Sequence, residues 1–164
     1  EQDRSRWDRA KADEGLARLE ALVRGDSLGP YALQAAIAAV HARARRAENT
    51  AWGEIAALYA LLANLSPSPI VELNRAVAVA MADGPDRGLA LLDVLEARGD
   101  LGEYHLLAAA RADLLRRAGR FEESAKSYRR AIALASNDGE RRFLERRLRE
   151  VGGGGGLETT RGQT

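Results

Sequence analysis

The sequence predicts an all-α fold, a tetratricopeptide-like stack of antiparallel helix pairs with about seven helices. Three joints support it: Thr50, Gly84 and Gly119 lie 34 and 35 residues apart, and each separates two apolar stretches of helical period. This spacing is close to the 34-residue period of tetratricopeptide helix pairs. No stretch alternates apolar and polar residues over strand length. Because a single pair cannot bury its apolar face, such repeats stack and form a concave surface that binds other chains.

The helices of the first half follow from periodicity and end signals. A helix from about Ser5 to Arg24 precedes one that starts at Pro30, where the missing N–H of proline costs nothing. Asn49 and Thr50 are the candidates for the N-cap of the next helix. Pro69, after a Ser-Pro-Ser turn, is the predicted first residue of the one that follows.

The second half continues the same pattern. Gly84 and Gly119 predict turns between helices, and Asn137 with Asp138 predicts the cap of a final basic helix. Phe121 and Tyr128 are seven residues apart in the third repeat, which places both on one helix face and predicts that both are core residues.

Three segments are predicted. Residues 1–27 form an N-terminal helix that leads into the repeats, residues 28–151 form the repeat domain, and residues 152–164 form a flexible Gly-rich tail.

The composition argues against several classes of function. The chain has no cysteine, and its two histidines, His41 and His105, are 64 positions apart, so neither a metal site nor a cofactor is expected. No phosphate loop or nucleophile elbow is present, so an enzyme is not expected. No apolar run reaches 18 residues and residues 1–30 lack a signal-peptide pattern, so a cytoplasmic protein without a membrane span is expected.

Counting back from the three joints places His41, Asn74, Ala78, Asp113, Arg116 and Arg117 near the groove, and Tyr31 and Gln34 follow Pro30 in the first turn of a helix. The predicted partner-binding residues are Tyr31, Gln34, His41, Asn74, Arg75, Asp113, Arg116 and Arg117. Asparagine can bind a peptide backbone and arginine a carboxylate. Other interpretations stay open: an internal bond between helices for Asn74, an inter-helix salt bridge for Arg75 and for Arg111, and simple packing for His41 and His105.

Several blocks go beyond a generic repeat. They are Trp7–Arg9, Pro30–Ala42, Trp52–Leu62, Ser66–Ala78 and Tyr104–Arg117. Together they resemble the C-terminal extension of a group of bacterial extracytoplasmic-function sigma factors, over roughly residues 5–150. The blocks Pro30–Ala42 and Ser66–Ala78 are the most specific.

The resemblance implies a regulatory domain of an alternative sigma factor that modulates transcription initiation. The partners it implies are the sigma core regions, RNA polymerase and a small YCII-like protein with a DGPF motif. DNA would be bound by N-terminal regions that this segment lacks.

Two alternatives remain. One is a stand-alone helical-repeat scaffold. The other is an auxiliary DNA contact through the basic C-terminal helices, since residues 105–150 carry a net charge of +5 whereas residues 1–104 carry −4. The arginines of the last helix are interleaved with glutamates.

Overall fold

The computed structural model describes residues 29–44 and 50–154, and within them it contains seven α-helices and no strand. The helices, in chain order, are α1 (Pro30–Arg43), α2 (Trp52–Leu65), α3 (Pro69–Asp83), α4 (Pro85–Arg98), α5 (His105–Arg117), α6 (Phe121–Leu134) and α7 (Asp138–Gly154). The all-α prediction is confirmed. The helix predicted from Ser5 to Arg24 and residues 155–164 of the predicted tail lie outside the described residues.

The helices belong to two compact units that divide between Asp83 and Gly84. The first unit contains α1 to α3 and the second contains α4 to α7. Gly84 has φ 103° and ψ 156°, a conformation that is open essentially only to glycine. The turn predicted at Gly84 therefore lies at the boundary between the two units.

Apolar residues at helical spacing form the core of the first unit. Leu33, Ile37 and Val40 of α1 are buried against Ile55 and Leu62 of α2, and Ala78 of α3 belongs to the same cluster. Burying a leucine or isoleucine stabilises a fold by about 1.5–3 kcal/mol.

The second unit packs α5, α6 and α7 around Tyr128, which is 2% exposed. The buried members of this core are Ala108, Ala112, Tyr128, Ala131, Ala135, Leu144 and Val151. Four of them are alanines, which let the helices approach closely. Ser124 is fully buried, and its Oγ donates a 2.7 Å hydrogen bond to the carbonyl oxygen of Ala112, so that α6 is joined to α5. The core prediction for Tyr128 is confirmed.

The same prediction for Phe121 is wrong, because this side chain is 38% exposed. Phe121 is the first residue of α6, and the part of α7 beside it is the helix end around Val151. An aromatic residue at the correct helical spacing is buried only where a neighbouring helix passes over it. Here the neighbour covers one side only.

One predicted helix cap is confirmed by the structure and another is wrong. Asn137 Oδ1 accepts a 2.9 Å hydrogen bond from the backbone N–H of Glu140, as expected for an N-cap. Helix α2 instead has Ala51 at its N-cap position without a side-chain bond, so the predicted cap by Thr50 is wrong. Asn49 lies outside the described residues. Helix α7 continues to Gly154, three residues past the predicted end of the repeat domain.

We predict that Tyr128→Ala lowers the free energy of unfolding by about 3–5 kcal/mol, because it removes a buried aromatic ring from a closely packed core. Phe121→Ala is expected to cost less than about 1.5 kcal/mol, since much of that ring already contacts solvent. Urea unfolding monitored by circular dichroism measures both. Equal losses in the two variants would contradict the assigned difference in burial.

Candidate functional site

The predicted groove residues are distributed over both units. Tyr31, Gln34 and His41 lie on α1 and Asn74 and Arg75 on α3, in the first unit. The second unit contains the other three, Asp113, Arg116 and Arg117, all on the last turns of α5. Asp113 contacts both arginines, and the three residues form the most organised part of the predicted site.

Asp113 binds both arginines at once. Its Oδ1 accepts hydrogen bonds from Nη2 of Arg116 at 2.7 Å and from Nε of the same residue at 3.3 Å. Its Oδ2 accepts a hydrogen bond from Nε of Arg117 at 2.9 Å. The spacings of three and four residues place these side chains next to each other on a helix. We call this group the Asp113 cluster.

The charges of the cluster reach α6, because the buried Tyr128 lies close enough to Asp113 and Arg116 for both to affect its pKa. Burial raises the pKa of the Tyr128 phenol, and the negative charge of Asp113 adds to that shift. Arg116 donates hydrogen bonds to Asp113 from both Nε and Nη2, and its place in a partner-binding groove stays a prediction. The periodicity of α6 could predict that Tyr128 is buried but not that it lies near the charges of Asp113 and Arg116.

The charge of Asp113 is maintained by its partners. Burial alone would raise the pKa of this carboxyl, but the hydrogen bonds and charges of Arg116 and Arg117 outweigh burial and lower the pKa below its ordinary value. The carboxylate is thus ionised at neutral pH. Arg117 is the member that can meet a partner, because its side chain is 43% exposed and its bond to Asp113 uses only Nε.

A second network of charges joins α4, α5 and α6. Arg111 lies 2.6 Å from Asp93 and 3.2 Å from Glu96, both on α4. Glu96 also accepts a 2.9 Å hydrogen bond from Arg130 of α6, which donates a second bond to the carbonyl oxygen of Gly102. The inter-helix salt bridge predicted for Arg111 is confirmed, and the network has a structural role.

The residues of the first unit differ in exposure. Tyr31 is 87% exposed, and Gln34 and Asn74 are also exposed, which suits surface recognition and disfavours an internal bond for Asn74. Arg75 is half-buried, and no ion pair joins it to another residue within 29–44 and 50–154, so the predicted salt bridge is not found. His41 packs edge to face on Trp52 with ring centroids 5.2 Å apart, which confirms the packing interpretation of His41.

His105 also has a packing role, with a partner that the sequence did not suggest. Its ring lies 5.7 Å from that of Tyr104, and its Nε2 lies 3.4 Å from Oε2 of Glu140 on α7. Both of these atoms are buried and have no hydrogen-bond partner among the described residues. His105 thus brings the start of α5 next to the start of α7.

Within residues 29–44 and 50–154, no group of three His, Asp or Glu side chains could hold a metal ion. No helix in the same residues combines the length and the apolar character needed to cross a bilayer.

Comparison with known proteins finds a relative of greater length. The chain is 45% identical over 148 residues to an uncharacterized protein of Rhizobium meliloti (strain 1021), and the match covers 90% of this chain and 34% of that protein. The chain therefore spans about a third of the length of the relative. No protein-family model matches the chain, and no solved structure matches it.

We predict that Asp113→Asn lowers the free energy of unfolding by about 1–2 kcal/mol at pH 7. This loss is small for hydrogen bonds between charged groups, because the Asp113 cluster is partly exposed to solvent. Since the folded-state pKa of Asp113 is lowered, its contribution is present above the unfolded pKa of about 3.9 and is lost as pH falls through the folded value.

The difference between wild type and Asp113→Asn should accordingly shrink between pH 5 and pH 3 in urea unfolding. Glu103→Gln, at an exposed position in the loop before α5, is the control and should show little difference at any pH. A difference for Asp113→Asn that stays constant with pH would contradict the assigned ionisation.

Proposed function

We propose that this chain is a regulatory protein-interaction domain of an alternative sigma factor, which modulates transcription initiation by binding protein. The observation that carries the proposal is the Asp113 cluster, in which a carboxylate fixes two arginines and leaves Arg117 partly exposed. An arginine held in place loses little conformational freedom on binding, so more of its interaction energy becomes affinity. Arginine is also enriched among the residues that dominate protein interfaces.

The surface of the first unit supports the same interpretation. Tyr31 is an almost fully exposed aromatic residue in the first turn of α1, with exposed Gln34 one turn further along. An aromatic side chain of this size in solvent suits an interface anchor, because burying it on binding removes a large apolar area from water. Both residues belong to the Pro30–Ala42 block, one of the two blocks in which the resemblance to sigma-factor extensions is most specific.

The length of the Rhizobium relative is compatible with a sigma factor. Because 148 aligned residues are 34% of that protein, it is about 435 residues long, and roughly 290 residues lie outside the aligned part. That is ample room for the promoter-binding regions of a sigma factor. The sigma core regions, RNA polymerase and a YCII-like protein with a DGPF motif remain the proposed partners, and the cytoplasm is the proposed compartment.

We expect Arg117→Ala, in the full-length protein that carries this domain, to change transcription from a cognate reporter promoter by about tenfold. The loss of a hydrogen bond between charged groups across an interface typically costs about 1.5–3 kcal/mol. Arg98→Ala is the matched control: Arg98 has the same side-chain exposure of 43% and also pairs with an aspartate, but it lies at the end of α4.

Circular dichroism of both variants separates a change of function from a change of fold. Normal transcription with Arg117→Ala would exclude the Asp113 cluster as the binding surface. Normal transcription after deletion of residues 29–154 would reject a required role for the domain.

A DNA contact is the second candidate function, and one observation favours it. Helix α7 exposes three arginines at spacings of four and three residues: Arg142, Arg146 and Arg149. None of them forms an ion pair with a carboxylate in the part of the chain that the structure describes. Filter binding of duplex DNA over a salt series tests this candidate. Phosphate contacts would give an affinity that falls steeply with salt and that is weakened by replacing these arginines.

A further inference from the structure

The second unit has a depression at its α6–α7 side that neither the Asp113 cluster nor the core explains. It has a volume of about 570 Å³. Its apolar lining is formed by Phe121, Ala125 and Val151, and its charged lining by Glu122, Lys126 and Arg129. We call it the Phe121 depression.

The depression displays a core-type aromatic residue in solvent. Phe121 occupies the helical position that suits burial between stacked repeats, yet it is 38% exposed. Ala125 follows it by one turn on the same face of α6 and is only partly buried. Val151 of α7 is buried, with 3% of its surface exposed. Phe121, Ala125 and Val151 thus form an apolar surface that is open to solvent on one side. An apolar side chain from a partner helix can pack against such a surface.

The charges around this apolar surface indicate the chemistry of the partner. Lys126 and Arg129 are exposed and give the lining two positive charges against the single negative charge of Glu122. Within residues 29–44 and 50–154, neither Lys126 nor Arg129 forms an ion pair with a carboxylate. Residues 105–150, which contain all of these side chains except Val151, carry a net charge of +5. An acidic segment complements this surface, and a basic one is repelled.

We propose that the Phe121 depression binds an acidic amphipathic segment of a partner protein, with an apolar side chain on Phe121 and Ala125 and carboxylates on Lys126 and Arg129. This deepens the proposed function, on which it rests, by stating the chemistry of a partner. Binding here is measured directly and does not require transcription, so the two proposals can fail separately.

The probes are two fluorescein-labelled 14-residue peptides with leucine at positions 3, 6, 7 and 10. The remaining positions are mostly glutamate in one peptide and mostly lysine in the other. Fluorescence anisotropy with the whole chain should show binding of the acidic peptide and at least tenfold weaker binding of the basic one. Absence of binding by the acidic peptide, or equal binding of both peptides, overturns the proposal.

Two pairs of variants locate the site. Lys126→Glu with Arg129→Glu should weaken binding of the acidic peptide at least tenfold. Arg142→Glu with Arg149→Glu makes the same change in net charge on α7 and should leave the affinity within about threefold. Phe121→Ala should weaken binding about tenfold, whereas Phe143→Ala, at an aromatic residue that is 47% exposed on α7, should not.

Equal losses in both charge-reversal pairs would show that net charge attracts the peptide without a specific site, and would overturn the proposal. A duplex DNA probe that competes with the peptide and loses affinity in Lys126→Glu with Arg129→Glu would assign the depression to nucleic acid. Sedimentation that shows a dimer of the chain disrupted by Phe121→Ala would assign it to self-association.

Discussion

Close contact between helices α5 and α6, made possible by alanine, is the constraint on which the second unit depends. Ala108 and Ala112 of α5 and Ala131 of α6 are almost fully buried, and no larger side chain would allow the same approach. The short distance also lets Ser124 Oγ reach the carbonyl oxygen of Ala112, and it places Tyr128 within range of the charges of Asp113 and Arg116. The close packing of alanines thus allows a buried hydrogen bond to join α6 to α5.

The two units use the same kinds of side chain for different purposes. Trp52 and His41 meet edge to face in the first unit, where an aromatic pair fills the space between α1 and α2. In the second unit the exposed Phe143 instead lies under two guanidinium groups, those of Arg146 at 5.3 Å and Arg147 at 5.7 Å from its centroid. Cations at this distance are attracted to the face of an aromatic ring. An aromatic residue on α7 is therefore accommodated at the surface without entering the core.

Much of the fold could be predicted from the sequence, because helical periodicity identifies the face that each helix buries. Leu33, Ile37 and Val40 show this, as does Tyr128. Periodicity does not say how far a neighbouring helix extends, so it predicts burial for Phe121 where the structure leaves the side chain partly exposed. Local spacing likewise brings Asp113, Arg116 and Arg117 together, but the influence of their charges on Tyr128 depends on how α5 and α6 pack. How the helices pack likewise decides that Tyr31 is exposed and that Arg75 is half-buried.

The hydrogen bond from Arg130 to Glu96 restricts where residues can be inserted into or deleted from this chain. The two residues are 34 positions apart, one repeat period, and the same guanidinium also binds the carbonyl oxygen of Gly102 in the loop between α4 and α5. Inserting or deleting one residue within α5 would turn the following positions by about 100° around the helix axis and separate these groups. Insertions and deletions within α5 should therefore be disfavoured, whereas substitutions on its exposed faces can accumulate.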